Sequence, residues 1–224
     1  MAQLDTFHHV APGSAIQAEQ LSSSAGRRRL AMAICQRRIK PGAGSSAEFL
    51  RARTAMTQWP DLRETLHSVR WAITGGVATR AYMPERATKD LDILIHQDDC
   101  AEVSNRLRSA GYLRISALAI AGEVFRSPNG VEVDVIFGDA PWVDEALAHP
   151  HRDAAGYPIL GLPYLILMKM EASHLHDLGD ISRMLGGASA HEFALVMQVI
   201  ARHAPDMLED VETLAQLGHQ ELGA

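Results

Sequence analysis

The segment from Asp90 to His96, read as Asp-Leu-Asp-Ile-Leu-Ile-His, constrains the fold of this 224-residue chain more than any other. Its polar and aliphatic side chains alternate, which is the pattern of a half-buried β-strand. Asp90 and Asp92 therefore leave one face of the strand together, opposite the aliphatic residues that fix its register. Two carboxylates held side by side repel each other unless a cation lies between them, so this pair is a candidate metal site.

A third acid lies in a second alternating strand, predicted from Val131 to Phe137. The alternation places Asp134 and Glu132 on one face of that strand. If the two strands are neighbours, the carboxylates of Asp90, Asp92 and Asp134 converge. Such a cluster suits Mg²⁺ and two-metal phosphoryl transfer. The alternative for the Asp-x-Asp pair alone is ordinary solvated polarity at a strand edge.

Paired glycines, Gly75 and Gly76, follow a short apolar strand predicted from Val69 to Thr74. Glycines where a strand opens into a helix let backbone N–H groups approach phosphate oxygens. A lone Gly-Gly is more often a simple turn, but this one together with the two acidic strands favours a phosphate-handling site. Arg86 and Lys89 could neutralise a triphosphate there; the alternative is two solvated loop charges.

The rest of the pattern predicts an α/β core, more strictly α+β, between helical segments. We expect a basic, partly ordered arm with short helices over residues 1–58, the core over 59–160 and a helical segment over 161–224. Further strands are predicted at 113–119, 123–127 and 157–160, and helices at 27–40, 47–58, 61–68, 98–110, 164–174, 178–185, 189–203 and 206–217.

Charge is unevenly spread along the chain, whose formal net charge is −6. Residues 1–60 carry eight Lys and Arg against three Asp and Glu, whereas residues 61–224 carry 13 against 24. A basic arm on an acidic body suggests contact with a polyanion. The basic helix from Arg27 to Lys40 either grips an RNA backbone or docks on the acidic body.

Composition narrows the class further. With 47% hydrophobic and 21% charged residues, the chain is neither collagen-like nor wholly disordered. Its two cysteines are too few for a disulfide scaffold, which favours the cytoplasm. No apolar run approaches the roughly 20 residues of a membrane-spanning helix, so no membrane partner is expected. The histidine pairs at 149/151 and 174/176 lack the partners of a structural zinc site.

Taken together, these motifs resemble those of the nucleotidyltransferases of the DNA polymerase beta superfamily. The resemblance runs from Trp71 to about Leu185 and rests on Gly75-Gly76, residues 86–93 and residues 133–135. Residues 165–172 and 176–181 look like the helical segment of small AbiEii-type toxin nucleotidyltransferases.

The resemblance implies a small mixed sheet flanked by helices and Mg²⁺-dependent transfer of a nucleoside monophosphate from NTP to an acceptor hydroxyl, with release of pyrophosphate. Two Mg²⁺ ions are implied. By resemblance, Asp90, Asp92 and Asp134 bind metal, Asp134 also helps to deprotonate the acceptor, Gly75 and Gly76 cradle the triphosphate, Lys169 contacts phosphate, and Asp177 flanks the nucleotide.

The acceptor implied is a tRNA 3′ end, a protein hydroxyl or a small molecule such as an antibiotic, and a toxin of this kind would have a cognate antitoxin. One alternative is a catalytically inactive module of the same fold that binds nucleotide or RNA. Another is a sugar-nucleotide transferase that uses Asp-x-Asp for its metal, which the glycine turn and the third Asp disfavour.

Overall fold

The computed structural model describes residues 23–38, 59–84 and 88–222. Within these ranges seven strands form one mixed sheet in the order β3-β4-β5-β2-β1-β7-β6, which confirms the predicted class. The helix predicted at 47–58 and Arg86 lie outside the described residues. The strands are β1 (Trp71–Ile73), β2 (Asp90–His96), β3 (Leu113–Ala117), β4 (Gly122–Arg126), β5 (Glu132–Gly138), β6 (His151–Arg152) and β7 (Pro158–Ile159).

Strand pairing brings the two acidic strands together. β2 and β5 are parallel neighbours, with Asp92 opposite Asp134 and Asp90 opposite Glu132. On its other side β2 pairs antiparallel with β1, whose end leads into the glycine turn. The odd-numbered aliphatic residues of β2 and β5 are buried, and the acidic residues share the other face, as the alternation predicts.

Helices flank the sheet and make up the C-terminal part of the chain, again as predicted. Two of them, α3 and α8, follow 3₁₀ turns at Gln97–Asp99 and Pro205–Met207. The described helices are α1 (Ser24–Arg38), α2 (Gly75–Ala78), α3 (Cys100–Ser109), α4 (Pro141–Ala148), α5 (Leu162–Ala172), α6 (Leu175–Gly186), α7 (Ala190–His203) and α8 (Leu208–Leu222). No described helix combines the length and apolar character needed to cross a membrane.

One local prediction fails, and one helix was not predicted. The helix expected at 61–68 is wrong: the segment is a run of turns, and the Asp61 carboxylate accepts hydrogen bonds from the backbone and guanidinium of Arg63. The Asp61 side chain therefore forms a local turn contact instead of capping a helix. Conversely, α4 was not anticipated, although Pro141 in its first turn is a common start signal.

The basic helix α1 docks on the C-terminal helices. Arg28 is only 2% exposed; its Nε lies 3.0 Å from Asp210 Oδ2 on α8, and its guanidinium donates to Ser173 Oγ at the end of α5. The contacts of Arg28 support one of the two interpretations of this helix, docking on the acidic body. RNA binding stays a prediction.

Candidate active site

Three carboxylates converge on one face of the neighbouring strands β2 and β5. Asp90, Asp92 and Asp134 each offer an oxygen, and these oxygens lie within 4.8 Å of one another. All three residues are partly buried. The predicted convergence is confirmed, and it follows from the parallel pairing of two strands whose acidic faces coincide.

Burial and mutual repulsion raise the pKa values of two carboxyl groups in this cluster. Burial, followed by the charges of Asp90 and Asp134, raises the pKa of Asp92 to about 7; a hydrogen bond from the Gly76 backbone N–H and the charge of Lys169 oppose the rise. Burial and the charges of Asp90 and Glu132 also raise the pKa of Asp134. The site is therefore short of positive charge. Its hard oxygen donors fit Mg²⁺, which Asp90, Asp92 and Asp134 would hold.

The glycine turn is built against one of these carboxylates. Gly75 has φ +59°, and a Cβ added there would lie 1.9 Å from Asp92 Oδ2. The backbone N–H of Gly76 is directed at the same side chain. Both glycines thus orient Asp92, a role that the sequence did not indicate beside the predicted phosphate cradle.

Hydroxyl groups near the turn are engaged within the protein. Thr88 donates to Asp90 Oδ1 at 2.8 Å, a contact that sequence reasoning missed although the two residues are only two positions apart. Thr79 is buried and donates to the Gly76 carbonyl, while Thr74 donates to the Met168 sulfur. Thr88 thus fixes the orientation of the first carboxylate of the cluster.

A cavity of about 340 Å³ adjoins the acidic cluster. Its walls come from the glycine turn, the start of β2, the β3–β4 loop, β5, the end of α5 and the start of α6. The lining residues are Thr74, Gly75, Gly76, Thr88, Asp90, Asp92, Ile120, Ile136, Met168, Lys169, Ala172, His174, His176 and Asp177. The glycine turn, the acid pair, Lys169 and Asp177 thus line one cavity.

Lys169 is held by two acids at the end of this cavity. It is 5% exposed, and its Nζ lies 2.5 Å from Asp177 Oδ1 and 3.0 Å from Asp180 Oδ2. Asp180 was not singled out from the sequence. The signal was available, because residues three apart on a helix share one face.

Lys89 is the predicted site residue that the structure does not bring in. Its side chain is exposed, and it is not among the described residues that line the cavity. His174 and His176, in contrast, line the cavity, where their rings stack with centroids 5.5 Å apart. Sequence reasoning had weighed this pair only as zinc ligands.

A larger cavity, of about 490 Å³, lies on the opposite face of β2, where Leu91 forms part of its wall. Its lining is mostly apolar and aromatic and includes Trp59, Trp71 and Tyr157. Since the acidic cluster faces the smaller cavity, chemistry rather than size locates the candidate active site there.

No protein-family model matches the chain, and no curated protein is significantly similar in sequence. Among solved structures, the solution structure of the antibiotic-resistance factor ANT(2″)-Ia is 16% identical with a TM-score of 0.38, covering 67% of this chain and 82% of that one. The crystal structure of ANT(2″)-Ia in complex with adenylyl-2″-tobramycin is also 16% identical with a TM-score of 0.38, and the match covers 68% of this chain and 88% of that one.

Terminal uridylyl transferase 4 from Trypanosoma brucei, with bound UTP, is 12% identical with a TM-score of 0.28, covering 90% of this chain and 71% of that one. At these values neither fold nor activity can be transferred.

Proposed function

We propose that the chain is a Mg²⁺-dependent nucleotidyltransferase that transfers a nucleoside monophosphate from NTP to an acceptor hydroxyl. The observation that carries the proposal is the convergence of Asp90, Asp92 and Asp134 within 4.8 Å, where Asp90 and Asp92 line the same cavity as the glycine turn. Burial and the neighbouring carboxylates raise the pKa values of Asp92 and Asp134, and functional sites are where such shifts concentrate.

Mg²⁺, when bound by Asp90, Asp92 and Asp134, would supply positive charge to the phosphate groups. The acceptor oxygen forms a bond to the α-phosphorus while the bond from that phosphorus to the pyrophosphate oxygen breaks. Asp134 takes the proton of the acceptor hydroxyl. Pyrophosphate leaves with the electrons of the broken bond.

The other cavity residues bind and orient. Gly75 and Gly76 let the nucleotide's phosphates approach the backbone, while they keep Asp92 in place. Lys169 and Asp177 form a fixed wall because their charges are paired in a buried contact. Holding the reactants in line supplies a large part of the rate in such transfers.

The experiment is incubation of the full chain with each α-labelled NTP, Mg²⁺ and three acceptor pools: total tRNA, protein and small molecules. Label transfer that Asp92→Asn abolishes and Glu132→Gln preserves supports the proposal. Glu132 is the matched control because it lies on the same face next to Asp134 but pairs with Arg126. Nucleotide binding without transfer to any pool would favour the inactive binding module. Label transfer from labelled UDP-sugars but not from NTPs would favour the sugar-nucleotide transferase.

The pool that receives label identifies the acceptor. A toxin role, with a cognate antitoxin, is part of the same proposal and has its own readout. Expression of the wild type should arrest bacterial growth, and expression of Asp92→Asn should not.

A further inference from the structure

We propose that His174 and His176 bind the phosphate chain of the nucleotide, an inference that rests on the proposed function. Both side chains line the cavity that the acid pair faces. Their rings are nearly parallel, 4° apart in plane angle and 5.5 Å between centroids, so they form one continuous wall. The His176 side chain is 66% exposed and therefore accessible to a ligand.

The need for such donors follows from the charges of the cavity. Among the described lining residues Lys169 is the only Lys or Arg, and its ammonium already contacts Asp177 and Asp180. Its charge is thus balanced by two buried carboxylates before any ligand arrives. A polyphosphate bound here needs further donors besides the metal site.

The imidazoles can supply them. Imidazole N–H groups donate to phosphate oxygens, and the bond is stronger when the ring carries a proton. His176 Nε2 lies 3.6 Å from Asp177 Oδ1, and neither ring has another hydrogen-bonding or ionic partner among the described residues. Each ring therefore keeps donor capacity for a ligand.

A phosphate-binding role is favoured over stacking on a nucleobase by the arrangement of the rings. The two imidazoles stack on each other with an offset, so one face of each ring is partly covered by its neighbour. The wall also lies beside Lys169 and Asp177, on the cavity that holds the acid pair and the glycine turn.

The test measures dissociation constants of the four common NTPs and of inorganic tripolyphosphate, each with Mg²⁺. The variants are His174→Ala/His176→Ala, His176→Arg and the exposed control His191→Ala. His174 precedes α6 without a side-chain cap bond, so its removal should leave the helix start intact; equal melting temperatures check this.

The double variant should bind both the NTPs and tripolyphosphate about ten- to a hundredfold more weakly, as expected for lost hydrogen bonds to charged groups. His176→Arg should bind as tightly as the wild type, and His191→Ala should not differ from it. Unchanged affinity in the double variant would overturn the inference. Weaker binding of NTPs with unchanged binding of tripolyphosphate would also overturn it, because that result would indicate base stacking. A wild type that binds no NTP at all would instead refute the proposed function, and this inference with it.

Discussion

Gly75 lies so close to Asp92 that a Cβ on the glycine would fall 1.9 Å from the carboxylate oxygen Oδ2. The contact links the end of β1 to the acidic strand β2 and requires a residue without a side chain. Gly75 also has φ +59°, a backbone region that is costly for other residues. One glycine therefore serves both the turn and the geometry of the metal site.

Gly75→Ala should abolish metal-dependent transfer because the Asp92 carboxylate must move. It should also destabilise the fold by more than the roughly 1 kcal/mol cost of a left-handed non-glycine residue. Gly130→Ala is the matched control, since Gly130 has φ +86° with nothing within 4 Å of an added Cβ. Urea unfolding and label transfer compare the two. Equal stability losses, or full activity in Gly75→Ala, would contradict the steric account.

Neutralising the acidic cluster should remove activity without unfolding the protein. Asp90→Asn, Asp92→Asn and Asp134→Asn should each lower the transfer rate by at least about a hundredfold, the scale on which preorganised electrostatic groups act. Glu132→Gln should keep nearly full activity. Initial rates at saturating Mg²⁺ measure the effect, and melting curves control for folding. Substantial activity in any of the three would remove that residue from the proposed site.

The raised pKa of Asp92 predicts how stability depends on pH without metal. Because the pKa is about 7 in the folded chain against an ordinary 3.8, the folded state holds this proton more tightly. The contribution of Asp92 to the free energy of unfolding is therefore fully present below about pH 4 and is lost as the pH rises through 7.

Urea midpoints in EDTA at pH 4.5 and 7.5 measure this, with Asp92→Asn as the reference. The wild type should lose stability relative to the variant between the two values. Mg²⁺ at pH 7.5 should restore part of the loss by binding the ionised carboxylates. A difference between the two proteins that does not vary with pH would contradict the assignment.

Docking of α1 depends on Arg28. Arg28→Ala should lower the free energy of unfolding by about 2 kcal/mol, because the change removes bonds to Asp210 and Ser173 from a buried site. The exposed neighbour serves as control: Arg29→Ala should change stability by less than about 0.5 kcal/mol. If Arg28→Ala weakens RNA binding at unchanged stability, Arg28 contacts a polyanion instead.

Helices α6 and α8 meet at glycines. A Cβ at Gly218 would lie 1.9 Å from the Ser182 carbonyl oxygen, so the backbones are in direct contact. Gly218→Ala should cost about 1–3 kcal/mol by forcing the helices apart. Gly179→Ala, where an added Cβ meets nothing within 4 Å, should be neutral or stabilising. Thermal melts of the two variants measure the difference in stability. Equal melting temperatures would contradict this packing.

The acidic cluster was predictable because it depends on short-range patterns. Alternation in β2 and β5 assigns Asp90, Asp92 and Asp134 to one type of face, and only the adjacency of the strands had to be assumed. The start of the helix predicted at 189–203 is equally local, because Ser189 and Glu192 form both hydrogen bonds of a capping box. Such signals are complete within a few residues.

The contacts that sequence patterns did not specify depend on how separate elements pack. The burial of Lys169 between Asp177 and Asp180 requires α5 and α6 to pack, which periodicity does not specify. The docking of Arg28 joins residues 182 positions apart. The turns at 61–68 show the converse case, because Asp61 satisfies its carboxylate with Arg63 although the spacing to Glu64 suits a helix start.

The most direct test of the central claim is a crystal structure of the chain with Mn²⁺ and a non-hydrolysable NTP analogue, in which anomalous scattering locates the metal. The account predicts metal peaks in direct coordination with Asp90, Asp92 and Asp134, and the triphosphate in the adjoining cavity. Nucleotide bound elsewhere, or metal peaks away from these three carboxylates, would contradict it.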